Sequence, residues 1–402
     1  MNPERLKLLA PDDPIVITGI GVDCAAGADV GSLWRSVVAG DCPASELDFP
    51  GGLRASACLA GEPGDADDPR LKAAKRTDRS VQLALSAALE AADQAGISGS
   101  KLSVIAGTSR GPQQQWDAAR AQMEAGRRLR PTLAATGTVA CLSGLLSQQL
   151  GATNPGFTVS ATCASAANAI ALAAQQLLLG EADVVLAGGS DAPVHPLVLR
   201  GLESAGMLGS VCRPFDARRD GLVVGEGAGF LVLEFESRAI GRGARVLARL
   251  EGWATGVDGH GRTGIREDGA GLMDVLGRAL ALAGLEPGDI GYVNAHGTAT
   301  ELNDRVEAAT LGRVFGCDVP VSSTKAVSGH CLGGTPAIEA IIAVQALAEG
   351  LLPPTAGLTE VAPECCGIDH IIGAAREAKV EHVLSDSIGF WGYHACLVFG
   401  RA

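Results

Sequence analysis

With 402 residues, 47% of them hydrophobic, and a mean hydropathy of +0.22, the chain can bury one large core or two fused ones, which excludes a disordered polypeptide. Its 32 basic residues against 45 acidic ones give a net charge of −13, which opposes nucleic-acid binding and makes any acidic protein partner depend on a local basic patch. The 54 glycines beside 3% aromatics describe an Ala, Val, Leu and Ile core with many close backbone approaches, as in large α/β enzymes.

Residues Met1 to Ala10 hold no apolar run long enough for a signal peptide, and every later apolar helix is cut by Asn, Gln, Glu or Gly. The expected location is the cytoplasm, without a membrane span. In that compartment the 11 scattered cysteines stay reduced. Cys365-Cys366, His330-Cys331 and His394-x-Cys396 lack the paired C-x-x-C spacing of structural zinc sites, so no metal is expected.

The first element is a strand, Ile15-Val16-Ile17, leading into Thr18-Gly19-Ile20-Gly21, which reads as a glycine turn. Cys24 stands where a dinucleotide motif needs its third glycine, so NAD binding is not expected. Asp78 to Gly96 has helical apolar spacing and a glycine stop, and Val104 to Gly107 reads as a short buried strand. Two later segments echo each other. Phe157 to Cys163 is strand-like and precedes an apolar helix running to Gly180; Val319 to Lys325 is strand-like and precedes one running to Gly350. Such an echo is expected of two duplicated βα halves packed together, and the break near Arg238 to Arg245 places their boundary at residues 240/241.

Cys163 lies where a β-rich run meets an Ala-rich helix. A thiol at a helix start is expected to favour thiolate, and free N–H groups there can cradle an oxyanion. His296, in Asn294-Ala295-His296-Gly297, and Lys325 with His330, ahead of the second long helix, occupy equivalent strand ends; small neighbours should leave His296 accessible. A lone histidine is more often structural, and His195, His260, His370 and His382 are read as structural or exposed. Cys163, His296 and His330, together at strand ends, are read as one site.

These segments resemble the beta-ketoacyl-acyl-carrier-protein synthases, condensing enzymes of the thiolase superfamily. The likeness runs through VITGIGV (16–22), SATCASAANAI (160–170), GEADVVLAGGSDAP (180–193), CRPFDARRDGLVVGEGAGFLVLE (212–234), NAHGTATELND (294–304), SSTKAVSGHCLGG (322–334) and GFWG (389–392). It implies an α/β thiolase-like fold of two βαβαβαββ halves in five α-β-α-β-α layers, residues 1–240 carrying the nucleophile and 241–402 both catalytic histidines. Cys163 would take the acyl group, the N–H groups of Cys163 and Phe390 would form the oxyanion hole, and His296 and His330 would serve malonyl decarboxylation. Lys325, paired with Glu307, would hold the histidine loops, and Thr298 and Thr300 would bind phosphopantetheine. The partner implied is acyl carrier protein, which brings the phosphopantetheine, so no cofactor of the enzyme's own is expected. The assembly implied is a homodimer, or a heterodimer with a related subunit. The basic clusters Lys72, Lys75, Arg76 and Arg127, Arg128, Arg130 are the carrier-docking candidates.

Departures from the family pattern bear on substrate. Trp391 replaces a glycine of the gating loop and is expected to narrow the gate with a flat apolar wall, with Tyr393-His394 behind it. Thr162 replaces the commoner Ala. Arg110 stands where similar enzymes line the acyl tunnel with a small or apolar residue, and the expectation divides between a pocket role and a turn toward solvent or a dimer interface. The function expected is decarboxylative condensation, in fatty-acid or, preferably, specialised polyketide-like synthesis. The alternatives are a non-catalytic subunit that shapes chain length, which retention of Cys163, His296 and His330 opposes, and a non-decarboxylating acyltransferase or thiolase-like enzyme, for which Cys396 would be the second cysteine.

Overall fold

The computed structural model describes residues 13–62, 68–99, 101–259, 261 and 264–402, so His260 lies outside the described residues. Here the first apolar run continues through its glycines. Strand β1 spans Ile15–Cys24 with a register shift between Ile17 and Gly19, and the expected glycine turn is absent. The cause is close packing of helix α1 (Arg79–Ala95): a β-carbon on Gly19 would lie 2.2 Å from the Ala91 carbonyl oxygen, and one on Gly21 would lie 2.1 Å from that of Ala87. The glycines admit a helix rather than turn the chain. Helix α1 ends where its sequence suggests, with the Asp78 side chain accepting from the Ser80 N–H at one end and Gly96 at φ 64 at the other.

The first repeat continues with β2 (Leu102–Gly107), α2 (Cys141–Leu150), β3 (Phe157–Val159), α3 (Ser165–Leu178), β4 (Val184–Asp191) and β5 (Gly227–Phe235). The second contains β6 (Ala248–Val257), α4 (Ala270–Ala283), β7 (Tyr292–Asn294), α5 (Glu301–Phe315), β8 (Pro320–Ser322), α6 (Thr335–Glu349), β9 (His382–Gly389) and β10 (Tyr393–Arg401). Both follow the order βαβαβαββ. Across the sheet they run β3-β2-β4-β5-β1 and β8-β7-β9-β10-β6, the first two pairs parallel and the last two antiparallel in each. Pairing of Val16 with Arg249 and of Ile17 with Ala248 joins β1 to β6, and Asp369–His370 adds a strand beside β8. The expected division at 240/241 falls within the short helix Glu236–Gly241 between β5 and β6.

Strand alternation sorts the core into layers. Val185, Ala187, Leu231 and Leu233 face inward onto α3 and α6, joined from the second repeat by Val383, Leu397 and Phe399. Leu186, Phe230 and Val232 face outward onto α1 and α2. In the second repeat, Val293, Leu384 and Val398 face outward onto α4 and α5. Helices α3 and α6 are therefore covered by both halves of the sheet, which explains their Ala-rich composition: small side chains permit approach from either side.

Gly107, at the end of β2, is pressed against the start of α3. A β-carbon there would meet the Ser165 carbonyl carbon at 2.4 Å and the Ala166 nitrogen at 2.5 Å. Gly107→Ala is expected to destabilise the fold by about 2 kcal/mol and to slow acylation of Cys163, two residues from the clash. Thermal unfolding and intact-mass loading check this; an unchanged midpoint would show that the strand end yields freely.

Candidate active site

The carboxyl ends of parallel strands are where an α/β sheet leaves room for ligands. Four such ends converge, since Cys163 follows β3, His296 follows β7, Lys325 and His330 follow β8, and Phe390 follows β9. All of these except Lys325 line a cavity of about 230 Å³, together with Thr298 and Thr300; Leu202, Met207, Leu222, Ile265 and Leu332 supply its apolar wall.

Cys163 is presented by a strained turn. Thr162 takes φ 51, which a β-branched residue rarely adopts, and is held there by its hydroxyl on the Phe390 carbonyl at 3.3 Å and by the Ser165 hydroxyl donating to its own carbonyl at 2.6 Å. The Phe390 N–H points at the Cys163 sulfur. Burial pushes this thiol from the ordinary 9.0 up to about 12, with Asp191 adding to the rise and Lys325, Arg110 and the Phe390 N–H opposing it. A helix start contributes at most about 2 kcal/mol, roughly one and a half pH units. The expected resting thiolate is thus outweighed by burial, and the thiol must give its proton to a base when it attacks.

His296 and His330 are each 2% exposed, so His296 is reached only through the cavity rather than from open solvent. Their rings lie 5.3 Å apart, edge to face at 82°. Burial and the Lys325 charge hold both well below the usual histidine range, which keeps them neutral at physiological pH. The hydroxyl of Thr335, the first residue of α6, lies 3.1 Å from His330 Nδ1. Thr298 and Thr300 hydroxyls lie 2.8 Å apart on the cavity wall.

The expected Lys325–Glu307 pair is not formed. Lys325 Nζ, fully buried, bonds Glu339 Oε1 on α6 at 2.6 Å and donates to the His296 carbonyl. Glu307 instead receives the Gly297 N–H at 2.8 Å and the Asn303 amide at 2.9 Å. Lys325 turns toward α6 because the His296 carbonyl and Glu339 lie together on that side. Sequence reasoning missed Glu339, although a lone carboxylate inside the apolar run TPAIEAIIAV signals a buried partner. It also missed Asp191, which ties the Thr108 hydroxyl and the N–H groups of Ser109, Arg110 and Gly333 together and so links the two repeats at the site.

Of the departures from the family pattern, Trp391 lies elsewhere than expected, and Arg110 takes the outward one of its two expected settings. Trp391 takes φ 65, is 52% exposed and does not line the cavity; the left-handed turn carries its side chain outward, so it adds no flat wall. Arg110 is exposed in the single chain, outside the cavity, because Asp191 fixes its backbone with the side chain outward. His394 pairs with Asp258 at 2.9 Å, both fully buried, behind the same loop. The other described histidines are structural: His195 caps the helix Pro196–Ser204 and pairs with Asp117, His370 meets the Cys365 carbonyl, and His382 pairs with Glu251.

Lys75, Arg76 and Arg130 share a second cleft of about 340 Å³ with Gln114, Gln115 and Gln122, while Lys72, Arg127 and Arg128 are exposed nearby in sequence. Among the described residues none of these six cations has an ion-pair partner, whereas most other arginines do.

Comparison with known proteins agrees with this geometry. Residues 12–239 match the family model of the beta-ketoacyl synthase N-terminal domain and residues 247–359 that of its C-terminal domain. The chain is 37% identical to nodulation protein E of Rhizobium sp. (strain N33), over 96% of this chain and 99% of that one. It is 33% identical to 3-oxoacyl-[acyl-carrier-protein] synthase 2 of Staphylococcus aureus (strain COL), over 96% and 98%. The ishigamide ketosynthase/chain length factor structure superposes with a TM-score of 0.89 at 30% identity, covering 97% of this chain and 99% of that one. A type II polyketide synthase acyl-carrier protein in complex with its ketosynthase gives 0.88 at 25% identity, with 97% and 99% covered. The chain belongs to the beta-ketoacyl synthase family.

Proposed function

We propose that this protein condenses an acyl group held on Cys163 with a malonyl group delivered by acyl carrier protein, forming a 3-ketoacyl thioester. The observation that carries this reading is the convergence of Cys163, His296 and His330, from both repeats, on one buried cavity. The Cys163 sulfur displaces the carrier thiol from its thioester, and the N–H groups of Cys163 and Phe390 receive the oxyanion. The malonyl carboxylate then leaves as carbon dioxide, and the neutral imidazoles of His296 and His330 donate to the enolate oxygen. The enolate carbon attacks the Cys163 thioester, the carbon–carbon bond forms and the cysteine thiolate departs. Lys325, held by Glu339, fixes the His296 carbonyl and so the loop. Thr298 and Thr300 are assigned to the pantetheine arm, which the carrier brings; no resident cofactor is assigned. Likeness to nodulation protein E favours a specialised pathway over bulk fatty-acid synthesis. Intact-mass analysis after incubation with a panel of acyl carrier thioesters tests the reading: an acyl adduct on Cys163 supports it, and no adduct from any donor refutes it.

Carrier docking is assigned to the cleft of Lys75, Arg76 and Arg130, unpaired cations on an otherwise acidic chain. Lys75→Glu with Arg130→Glu is expected to weaken loading from carrier-bound donors about tenfold, in a salt-dependent way, while loading from a small-molecule thioester is retained. Equal loss with both donors would contradict it. The exposed edge strand β3, with Phe157 43% exposed, lies open for pairing with a second subunit. We assign a dimer on this face and place the protein in the cytoplasm, where its 11 free cysteines stay reduced.

A further inference from the structure

Three successive N–H groups of the His296 loop meet three different buried carboxyls. The Thr298 N–H bonds Asp304 at 3.0 Å, the Gly297 N–H bonds Glu307 at 2.8 Å, and the His296 N–H approaches Asp386 at poorer geometry. The carboxyls come from separate elements, Asp304 and Glu307 from α5 and Asp386 from β9. Their side chains are all inaccessible to solvent. Glu307 Oε2 has two donors, the Gly297 N–H and the Asn303 amide, but Oε1 has none, and neither Asp386 oxygen receives a well-formed hydrogen bond. Buried carboxylate oxygens without donors are costly.

The Lys325 charge favours the ionised form of both Glu307 and Asp386, but burial outweighs it. Lys325, from the β8 side, is bonded to Glu339 of α6, and Arg219 lies 3.8 Å from Asp304. The other titratable neighbours are His296, held neutral, and the Cys396 thiol of β10, which pairs with Asp386 across the sheet. Glu307 and Asp386 face each other, and the nearest cation, Lys325, is bonded to Glu339 rather than to either of them. A proton between them turns two orphaned acceptors into one O–H···O hydrogen bond.

We propose that Glu307 and Asp386 form a proton-sharing carboxyl pair that positions the His296 loop. Asp386 is then a positioning residue that acts through His296; it does not touch substrate. Burial supports this, holding Asp386 at about 6 and, with repulsion from Asp386 and Asp304 added, Glu307 well above the usual carboxylate range; the hydrogen bond from Glu307 lowers Asp386, as a shared proton requires. A carboxyl that keeps its proton in the fold and loses it in the unfolded chain contributes stability that is fully present below the ordinary carboxylate range. That contribution is lost as pH rises through the folded value, here from about 4 to beyond 6. At alkaline pH the second negative charge pushes the pair apart and with it the loop.

The inference rests on the assignment of His296 to decarboxylation, but its first test does not. Infrared spectra of the full-length protein at neutral pH are expected to show a protonated-carboxyl band that is lost or displaced in Asp386→Asn and in Glu307→Gln. Asn can donate permanently to Glu307 Oε1, so the unfolding midpoint of Asp386→Asn relative to wild type is expected to rise by about 2 °C from about pH 5 to about pH 8. Asp386→Ala, which restores no donor, should not gain in this way. The ratio of malonyl decarboxylation rates at about pH 6 and pH 8.5 should fall about threefold in Asp386→Asn. A band that is unchanged in both variants, or absent from wild type at pH 6, overturns the pair. Loss of the band with an unaltered rate ratio overturns the link to His296 alone. If Asp386→Asn fails to fold, titration of the wild-type band decides: persistence above pH 6 supports the pair.

Discussion

Replacement of Cys163 by Ala is expected to abolish covalent acyl loading, a complete loss of the adduct in intact-mass spectra. Titration does not single this thiol out. Burial also pushes Cys24, Cys58 and Cys365 up to about 12, and drives Cys331 and Cys396 well above the ordinary value. What distinguishes Cys163 is its surroundings: it alone among these cysteines lines the cavity, with the Phe390 N–H at its sulfur and two neutral imidazoles on the same wall. Because the resting thiol is protonated, the wild-type loading rate should climb as pH rises from about 7 toward 9. A Cys163→Ala variant that still carries an acyl group would move the nucleophile elsewhere.

The second large effect concerns the histidines. His296→Ala and His330→Ala are each expected to retain Cys163 acylation and to lose condensation by at least about a hundredfold, the contribution of a positioned proton or hydrogen-bond donor to a developing negative charge. The separation follows from the steps they serve, since the enolate arises only in the malonyl half-reaction. Both rings are held neutral far below pH 6.5, so histidine protonation should not limit condensation between about pH 6 and 9. Condensation at the wild-type rate in both variants, measured by product mass, would remove decarboxylation from the mechanism.

The strand ends bearing Cys163, His296 and His330 were legible because reactive residue types stood where β-branched runs gave way to loops, and the echo between residues 157–180 and 319–350 is a true duplication of β3-α3 and β8-α6. Glycine proved less legible. Gly19 and Gly21 read as a turn because sequence alone does not show a helix backbone arriving about 2 Å from where a β-carbon would sit. The partner of Lys325 was misassigned for a similar reason: Glu307, in an acidic helix start, and Glu339, alone in an apolar helix, both lie near the site, and only the packing of α6 decides between them. Trp391 was read as a gate wall from its size, yet its left-handed backbone directs it outward. Direction of a side chain depends on φ and ψ, which a residue name does not carry.

The central claim is that this chain forms a carbon–carbon bond rather than shaping another subunit's product. The most direct measurement mixes the purified protein with an acyl carrier thioester and malonyl carrier, then follows carrier-bound products by mass spectrometry. A 3-ketoacyl carrier two carbons longer than the acyl donor, formed only when Cys163 is present, is the result predicted. Acyl loading and malonyl binding with no ketoacyl product, restored only by adding a related subunit with its own nucleophile, would contradict it.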